Sequence, residues 1–283
     1  MIHLVTDSTA NLPSEIKAKF NVHTISLKLI TGDQTYDEEG GMSQEEFFRL
    51  LGSVATAPTT SQPSSGEFIA LYQKLTADPE DEVISIHISE GLSGTVPNAR
   101  IAAEQVAPTR ISVVDSRLTS VGLLLMVVAA GEAIAAGKSR AQILSLLDRL
   151  IAENVTVFTV DTLEYLHKGG RINTASRWLG TLLNIKPVLQ LKDGKIEPLD
   201  KVRSLNRAMQ RAVDELVQRL DGRPVNAAVA HILAYDNAVK LVEMVKERLN
   251  CVSVCISEVG PVIGSHVGPG TLGVSASPAI SLD

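Results

Sequence analysis

The chain predicts an α/β protein of two domains, the N-terminal one a mainly parallel sheet with helices on both faces and the C-terminal one a mixed α/β sheet domain. Three observations carry this expectation. Short apolar runs alternate with helical patterns along the chain, the order expected of parallel strands joined by crossover helices. The length of 283 residues exceeds that of a usual single domain. Aromatic residues make up 4% against 45% hydrophobic overall, so the interior must be built from Val, Ile, Leu and Ala, which suits strands buried on both faces.

The first strand is expected over Ile2 to Thr6, followed by Val22 to Ile30, Glu82 to Ile88 and Ile111 to Val114, each rich in β-branched or aliphatic residues. Between and after them, Pro13 to Phe20, Ser43 to Leu51, Ser65 to Leu75, Thr95 to Val106 and Thr119 to Ala136 show helical periodicity or strong helix formers. Caps are expected at Ser14, Ser43 and Ser65. Ser139 and Gln142 stand in capping-box spacing and open a helix over Arg140 to Glu153. The domain boundary is placed after it, giving domains 1–153 and 154–283. Beyond it come strands at Val155 to Val160, Lys186 to Lys192, Val225 to Ile232 and Val252 to Glu258, with helices at Leu205 to Leu220 and Asn237 to Leu249. Asp193-Gly194 between Leu191 and Ile196 predicts a hairpin, hence an antiparallel pair.

Bulk properties exclude several classes. A net charge of −6 lacks the electrostatic footprint of a nucleic-acid binder. The two cysteines, Cys251 and Cys255, lie on an apolar segment, and no signal peptide precedes the first strand; both features fit a reducing cytoplasm. The most apolar stretch, Val121 to Ala136, falls short of the ~20 residues of a membrane span. No histidine has a metal-type spacing and the cysteines lack zinc-type partners.

Two hydroxyl-rich turns stand out, Thr60-Ser61-Gln62-Pro63-Ser64 and Ser89-Glu90-Gly91-Leu92-Ser93-Gly94-Thr95, each at the entry to a helix. Unpaired N–H groups at a helix start and neighbouring hydroxyls make a donor set for a carboxylate or phosphate. Plain helix capping is the alternative.

Other motifs fail on context. Gly137-Lys138-Ser139 resembles the end of a P-loop, but Glu132 occupies the place of its first glycine and helix precedes it. Gly268-Pro269-Gly270-Thr271-Leu272-Gly273 matches G-x-G-x-x-G with only ten residues after it, too few for a dinucleotide fold. Gly91-Leu92-Ser93-Gly94-Thr95 approaches the nucleophile elbow of hydrolases, with Thr95 in place of the last glycine. It sustains an alternative, a serine hydrolase in which Ser93 attacks, His266 is the base and Asp115 or Asp161 orients it. His266 lies in a glycine-rich loop, Gly264 to Gly270, where small residues admit a ligand to the backbone.

Together with Thr6-Asp7-Ser8 and Thr59, these turns, Asp161-Thr162-Leu163, Lys168-Gly169-Gly170-Arg171-Ile172, Lys201-Val202-Arg203 and the His266 loop resemble the DegV family over nearly the whole chain. Members are fatty-acid-binding proteins that serve as the acyl-carrying subunit of bacterial fatty acid kinase. The resemblance implies a long-chain fatty acid buried between the domains, such as palmitate or a related C14–C18 acid, its carboxylate held by Ser61 and Ser93. Thr60, Gly94, His266 and Arg203 match the supporting shell. Arg171 stays open between ligand contact and helix C-cap, and Asp7 and Ser8 read as a turn or cap. The resemblance further implies a carrier without activity of its own, with no cofactor, catalytic residue or metal, no nucleic acid and no stable membrane insertion. Its partner would be a separate ATP-dependent kinase subunit that makes acyl phosphate.

Overall fold

The computed structural model describes residues 1–53, 58–179 and 185–280. The first half contributes the strands β1 (Ile2–Asp7), β2 (His23–Ile25), β3 (Lys28–Thr31), β4 (Gln34–Asp37), β5 (Thr59–Ser61), β6 (Glu82–His87) and β7 (Ile111–Asp115). Its helices are α1 (Ser14–Lys19), a single irregular turn α2 (Glu38–Gly41), α3 (Gln44–Ser53), α4 (Ser65–Leu75), α5 (Thr95–Val106), α6 (Ser120–Ala135) and α7 (Arg140–Glu153). The second half adds β8 (Val155–Thr159), α8 (Glu164–Lys168), β9 (Lys186–Lys192), β10 (Lys195–Val202), α9 (Leu205–Leu220), β11 (Val225–His231), α10 (Tyr235–Arg248), β12 (Cys251–Glu258), α11 (Pro261–Val267) and β13 (Leu272–Pro278).

The expected fold class is what the chain adopts. A parallel sheet runs in the order β2-β1-β6-β7, and a six-stranded mixed sheet in the order β10-β9-β8-β13-β11-β12. Side-chain alternation on β1 and β6 divides the apolar residues between two faces. Val5 and Val83 pack with Phe68, Tyr72 and Ala99 of α4 and α5, while Leu4, Ile84 and Ile86 join the cluster built on α6. The mixed sheet is covered on one face by α9 and α10 through Val213, Leu216, Leu241 and Val245. Its other face also meets α6, which touches β11 and β13 as well as β1 and β6. This helix is therefore shared by both sheets, which explains why its sequence is apolar all round.

Asp193 and Gly194, with φ of 49° and 76°, turn β9 into β10 as two central residues of a primed hairpin turn should. The capping box of Ser139 and Gln142 is formed. At α4 the box is closed by Ser64 with Glu67, one residue earlier than the expected Ser65, because the residue three before Glu67 is the one whose hydroxyl meets its N–H. At α1 the cap position is Pro13 and no side chain bonds there, so Ser14 is already inside the helix.

The expected strand from Val22 to Ile30 is two strands in different sheets. Leu27, only 3% exposed, turns inward with its N–H donating to Ser8 Oγ at 2.9 Å, so β2 ends and β3 begins a separate antiparallel sheet ordered β4-β3-β5. A second departure concerns His266. It lies in the last turn of α11, opened by Pro261 at the first helical position, where the sequence suggests a glycine-rich loop. The G-x-G-x-x-G stretch after it runs into β13, so no helix follows it to receive a dinucleotide.

Candidate functional site

A cavity with about 950 Å³ of space free of protein atoms lies between the two sheets. Its walls are apolar: Val121 of α6, Phe158 of β8, Leu191 of β9, Ile196 of β10 and Ile263 of α11 are among its lining residues. That character suits an apolar small molecule. Polar groups converge on it from four places that the chain brings together over long sequence distances.

The loop after β6 carries Ser93. A fully buried network fixes its start: Asp7 accepts from Thr9 N at 3.1 Å, Thr9 Oγ1 at 2.5 Å and Ile88 N at 2.8 Å, and His87 Nδ1 lies 3.0 Å from its carboxylate. Behind His87, Nε2 sits 2.6 Å from Ser85 Oγ, which accepts from the Tyr72 hydroxyl at 2.8 Å. Asp7 is thus a cap and an anchor, as its place after β1 suggests. Further on, Ser89 Oγ donates to Gly194 O at 2.7 Å and ties this loop to the β9–β10 turn.

The turn after β5 meets that loop. Asn98 Nδ2 donates to Pro63 O at 2.8 Å, and a Cβ at Gly94 would stand 2.9 Å from the movable end of the Gln62 side chain, so glycine lets the two turns approach without displacing it. The result is that Thr60, Ser61 and Ser93 line one cavity. Thr60 Oγ1 lies 2.8 Å from His266 Nε2, and Ser93 Oγ lies 2.8 Å from Thr95 Oγ1.

Burial, followed by the nearby Arg171 guanidinium, depresses the His266 pKa to about 4, so the ring is neutral at pH 7. Its Nδ1 has no hydrogen-bond partner among the described residues. A Cβ at Gly169 would stand 2.2 Å from that nitrogen, so glycine there is what leaves room for the ring.

Arg171 lines the same cavity, donating from Nε to Leu92 O at 3.2 Å and from Nη1 to Gly169 O at 2.6 Å. No acidic side chain pairs with it among the described residues. The helix C-cap reading of its loop holds. Gly170 has φ of 71°, and Arg171 N bonds Leu166 O at 3.0 Å in the manner of a Schellman cap, and this cap directs the guanidinium inward. Arg203 is different: it is exposed between β10 and α9 and is not among the cavity-lining residues.

The hydrolase alternative does not assemble. Asp161 is paired with Lys186 at 2.5 Å, and Asp115 Oδ1 accepts from Glu90 N and Arg117 N. Among the described residues nothing orients His266 Nδ1, and Thr95 rather than His266 stands beside the Ser93 hydroxyl, so the expected triad geometry is not formed. Among the described residues there is also no cluster of His, Cys, Asp or Glu placed to hold a metal, and no helix long and apolar enough to cross a membrane.

The cover over the polar end has its own fastening. Glu38 Oε2 accepts from Ser8 Oγ at 2.5 Å and Oε1 from Val262 N at 2.9 Å, joining the small sheet to both the end of β1 and α11. Burial of the carboxyl raises its pKa to about 7, against the opposing pull of those two hydrogen bonds. Between about pH 4.5 and pH 7 the folded protein therefore holds a proton here that the unfolded chain has released, and stability falls as pH rises through that window. The whole change amounts to about 3 kcal/mol at most. Glu38→Gln is expected to flatten this part of the stability profile, which denaturant titrations at half-unit pH steps will show.

The model of the DegV family, described as an uncharacterised protein family, matches residues 1–279. A DegV domain-containing protein of Streptomyces coelicolor is 36% identical over 277 residues, 98% of either chain.

The chain belongs to the DegV family.

Among solved structures, the fatty-acid-binding DegV family protein from Thermus thermophilus is 37% identical and has a TM-score of 0.93, covering 98% of this chain and 99% of the other. A stearic acid-binding protein from Eubacterium ventriosum is 25% identical, with a TM-score of 0.89 and 98% coverage of both chains. In this DegV family member the sequence singled out Ser61, Ser93, Thr60 and His266, which all line the cavity. The glycine motif and helix cap around Arg171 left its direction undetermined, since a capped helix end is compatible with a side chain pointing either way.

Proposed function

We propose that this DegV protein holds a long-chain fatty acid in the cavity between lobes 1–153 and 154–283, with its carboxylate at Ser61 and Ser93. The observation that carries the reading is a single cavity with apolar walls lined also by the hydroxyls of Thr60, Ser61 and Ser93, a neutral imidazole and one guanidinium without an acidic partner among the described residues. A carboxylate desolvated in such a place needs charge-assisted hydrogen bonds. Arg171 supplies the charge, Ser61 and Ser93 the short-range donors, and Thr60, Gly94 and His266 shape the surroundings. Arg203, on the outside, has no part in holding the head group. The chain supplies the affinity: at about 0.8 kcal/mol per buried methylene, some ten methylenes contribute roughly 8 kcal/mol before association entropy is subtracted. The bound acids of the two solved relatives support this chemistry.

The reading extends to a carrier role in the cytoplasm. The protein would shield the acyl chain and present its carboxylate to a separate ATP-dependent fatty acid kinase for acyl phosphate formation, without catalysing a reaction itself. A Ser93 hydroxyl paired with Thr95, and a His266 whose Nδ1 no acid orients among the described residues, support the negative part. Protein purified from its native host is expected to release a long-chain fatty acid on extraction, read by mass spectrometry. It is also expected to show no ester cleavage that Ser93→Ala abolishes, and no ATP turnover with fatty acid alone. Extracts without a fatty acid, or Ser93-dependent hydrolysis, would overturn the proposal.

A further inference from the structure

The same cavity has a second polar station that the head-group reading does not use. It lies at the start of α6, a helix of sixteen residues. Thr119 occupies the cap position but makes no side-chain cap bond, and its Oγ1 is buried without a partner. Ser120 is only 8% exposed, and its Oγ is likewise buried and unpartnered. Both residues line the cavity. Ser120 also holds φ of 49°, a left-handed conformation that a non-glycine residue adopts at a cost.

A buried hydroxyl without a partner is unfavourable, and a Ser or Thr at a helix start ordinarily satisfies itself by capping. Here two adjacent ones fail to do so and face the ligand space. The neighbouring Thr156 offers them nothing, because its hydroxyl is taken up by Asn154 Oδ1 at 2.7 Å and Ser275 Oγ at 2.8 Å. The station is also neutral. Among the described residues that line the cavity Arg171 is the one with a permanent charge, and its guanidinium bonds Leu92 O and Gly169 O, not either hydroxyl. Hydroxyls that can both donate and accept, with no cation bonded to them, suit an uncharged oxygen better than a carboxylate.

We infer that Thr119 and Ser120 receive an oxygen borne on the acyl chain, so that the ligand class favoured by this protein is a hydroxy or oxo long-chain fatty acid. The inference rests on the fatty-acid reading above and adds a specificity to it. A plain methylene chain would cover both hydroxyls and leave them unsatisfied, whereas a chain hydroxyl at the right carbon would pair with them.

The test is displacement of a fluorescent fatty acid by stearate and by a series of positional isomers of hydroxystearate. The wild-type protein is expected to bind at least one isomer about five- to tenfold tighter than stearate, the ratio that one neutral hydrogen bond supports. Ser120→Ala and Thr119→Val are expected to reduce that preference, and Ser120→Gly, which fits the left-handed backbone without strain, serves as the variant least exposed to misfolding. If no isomer outcompetes stearate, or if the preference survives in Ser120→Gly combined with Thr119→Val, the inference is overturned while fatty-acid binding stands. If neither stearate nor any isomer displaces the probe, the fatty-acid reading falls and takes this one with it.

Discussion

Combined replacement of Ser61 and Ser93 by alanine is expected to weaken fatty-acid retention by at least about 10²-fold without unfolding the protein. Hydrogen bonds to a charged group are worth roughly 1.5–3 kcal/mol each, so the loss of two removes about 3–6 kcal/mol, and each 1.4 kcal/mol is tenfold. Stability should change little. Among the described residues Ser61 Oγ donates to the adjacent Gln62 O at 3.2 Å, and Ser93 Oγ pairs with the buried Thr95 Oγ1, so the double variant gives up two neutral hydrogen bonds at most in the unliganded protein. Dissociation of a fluorescent fatty acid and a urea titration on the same preparations separate the two effects. Retention equal to that of the wild type would show that the carboxylate lies elsewhere.

Asp7→Ala is expected to have the opposite signature, a large loss of stability. The carboxylate accepts from Thr9 N, Thr9 Oγ1 and Ile88 N and faces His87 Nδ1, all in a region without solvent. One direction of donation satisfies the chain: Tyr72 to Ser85, Ser85 to His87 Nε2, and His87 Nδ1–H to Asp7. Removing the final acceptor strands several buried donors at once, and breaking a buried pair of this kind costs about 3–5 kcal/mol. The β6–α5 loop would lose its anchor as well, so retention should fall together with the midpoint of unfolding. A loss below about 1 kcal/mol would mean that the network contributes little.

Most of the regular framework was legible because local and global preferences agree. Leu205 to Leu220 has helical periodicity and packs along one face, and α9 has those bounds. The Asp193-Gly194 pair has a single physical use between two strands, and it is used that way. The segments that were missed owe their form to partners distant in sequence. β13 reads Leu-Gly-Val-Ser-Ala-Ser-Pro, with small and polar residues where an amphipathic strand would alternate, because it is buried on both faces and its Ser275 and Ser277 receive bonds from Asn154. The break at Ser26 and Leu27 depends on Ser8, nineteen residues earlier than Leu27.

The site was legible in its residue types and less so in its directions. Ser61, Ser93, Thr60 and His266 were identifiable because short motifs place hydroxyls and glycines at element ends. Arg203 shows the limit: a basic residue after a strand carries no local signal of which way it faces, and the turn into α9 leaves it in solvent. Thr119 and Ser120 gave no signal at all, since a Thr-Ser pair before an apolar run is what an ordinary capped helix looks like.

The helix common to both sheets bears on how a lipid gets in. Because α6 is oily on every side, swinging the lobes apart like a clamshell would strip its flank bare to water along much of its sixteen residues. The spine of the molecule is thus the costly place to open. The small sheet and the seven-residue α11 are fastened to each other at Glu38 beside the polar end, and entry between them would leave the flank of α6 covered.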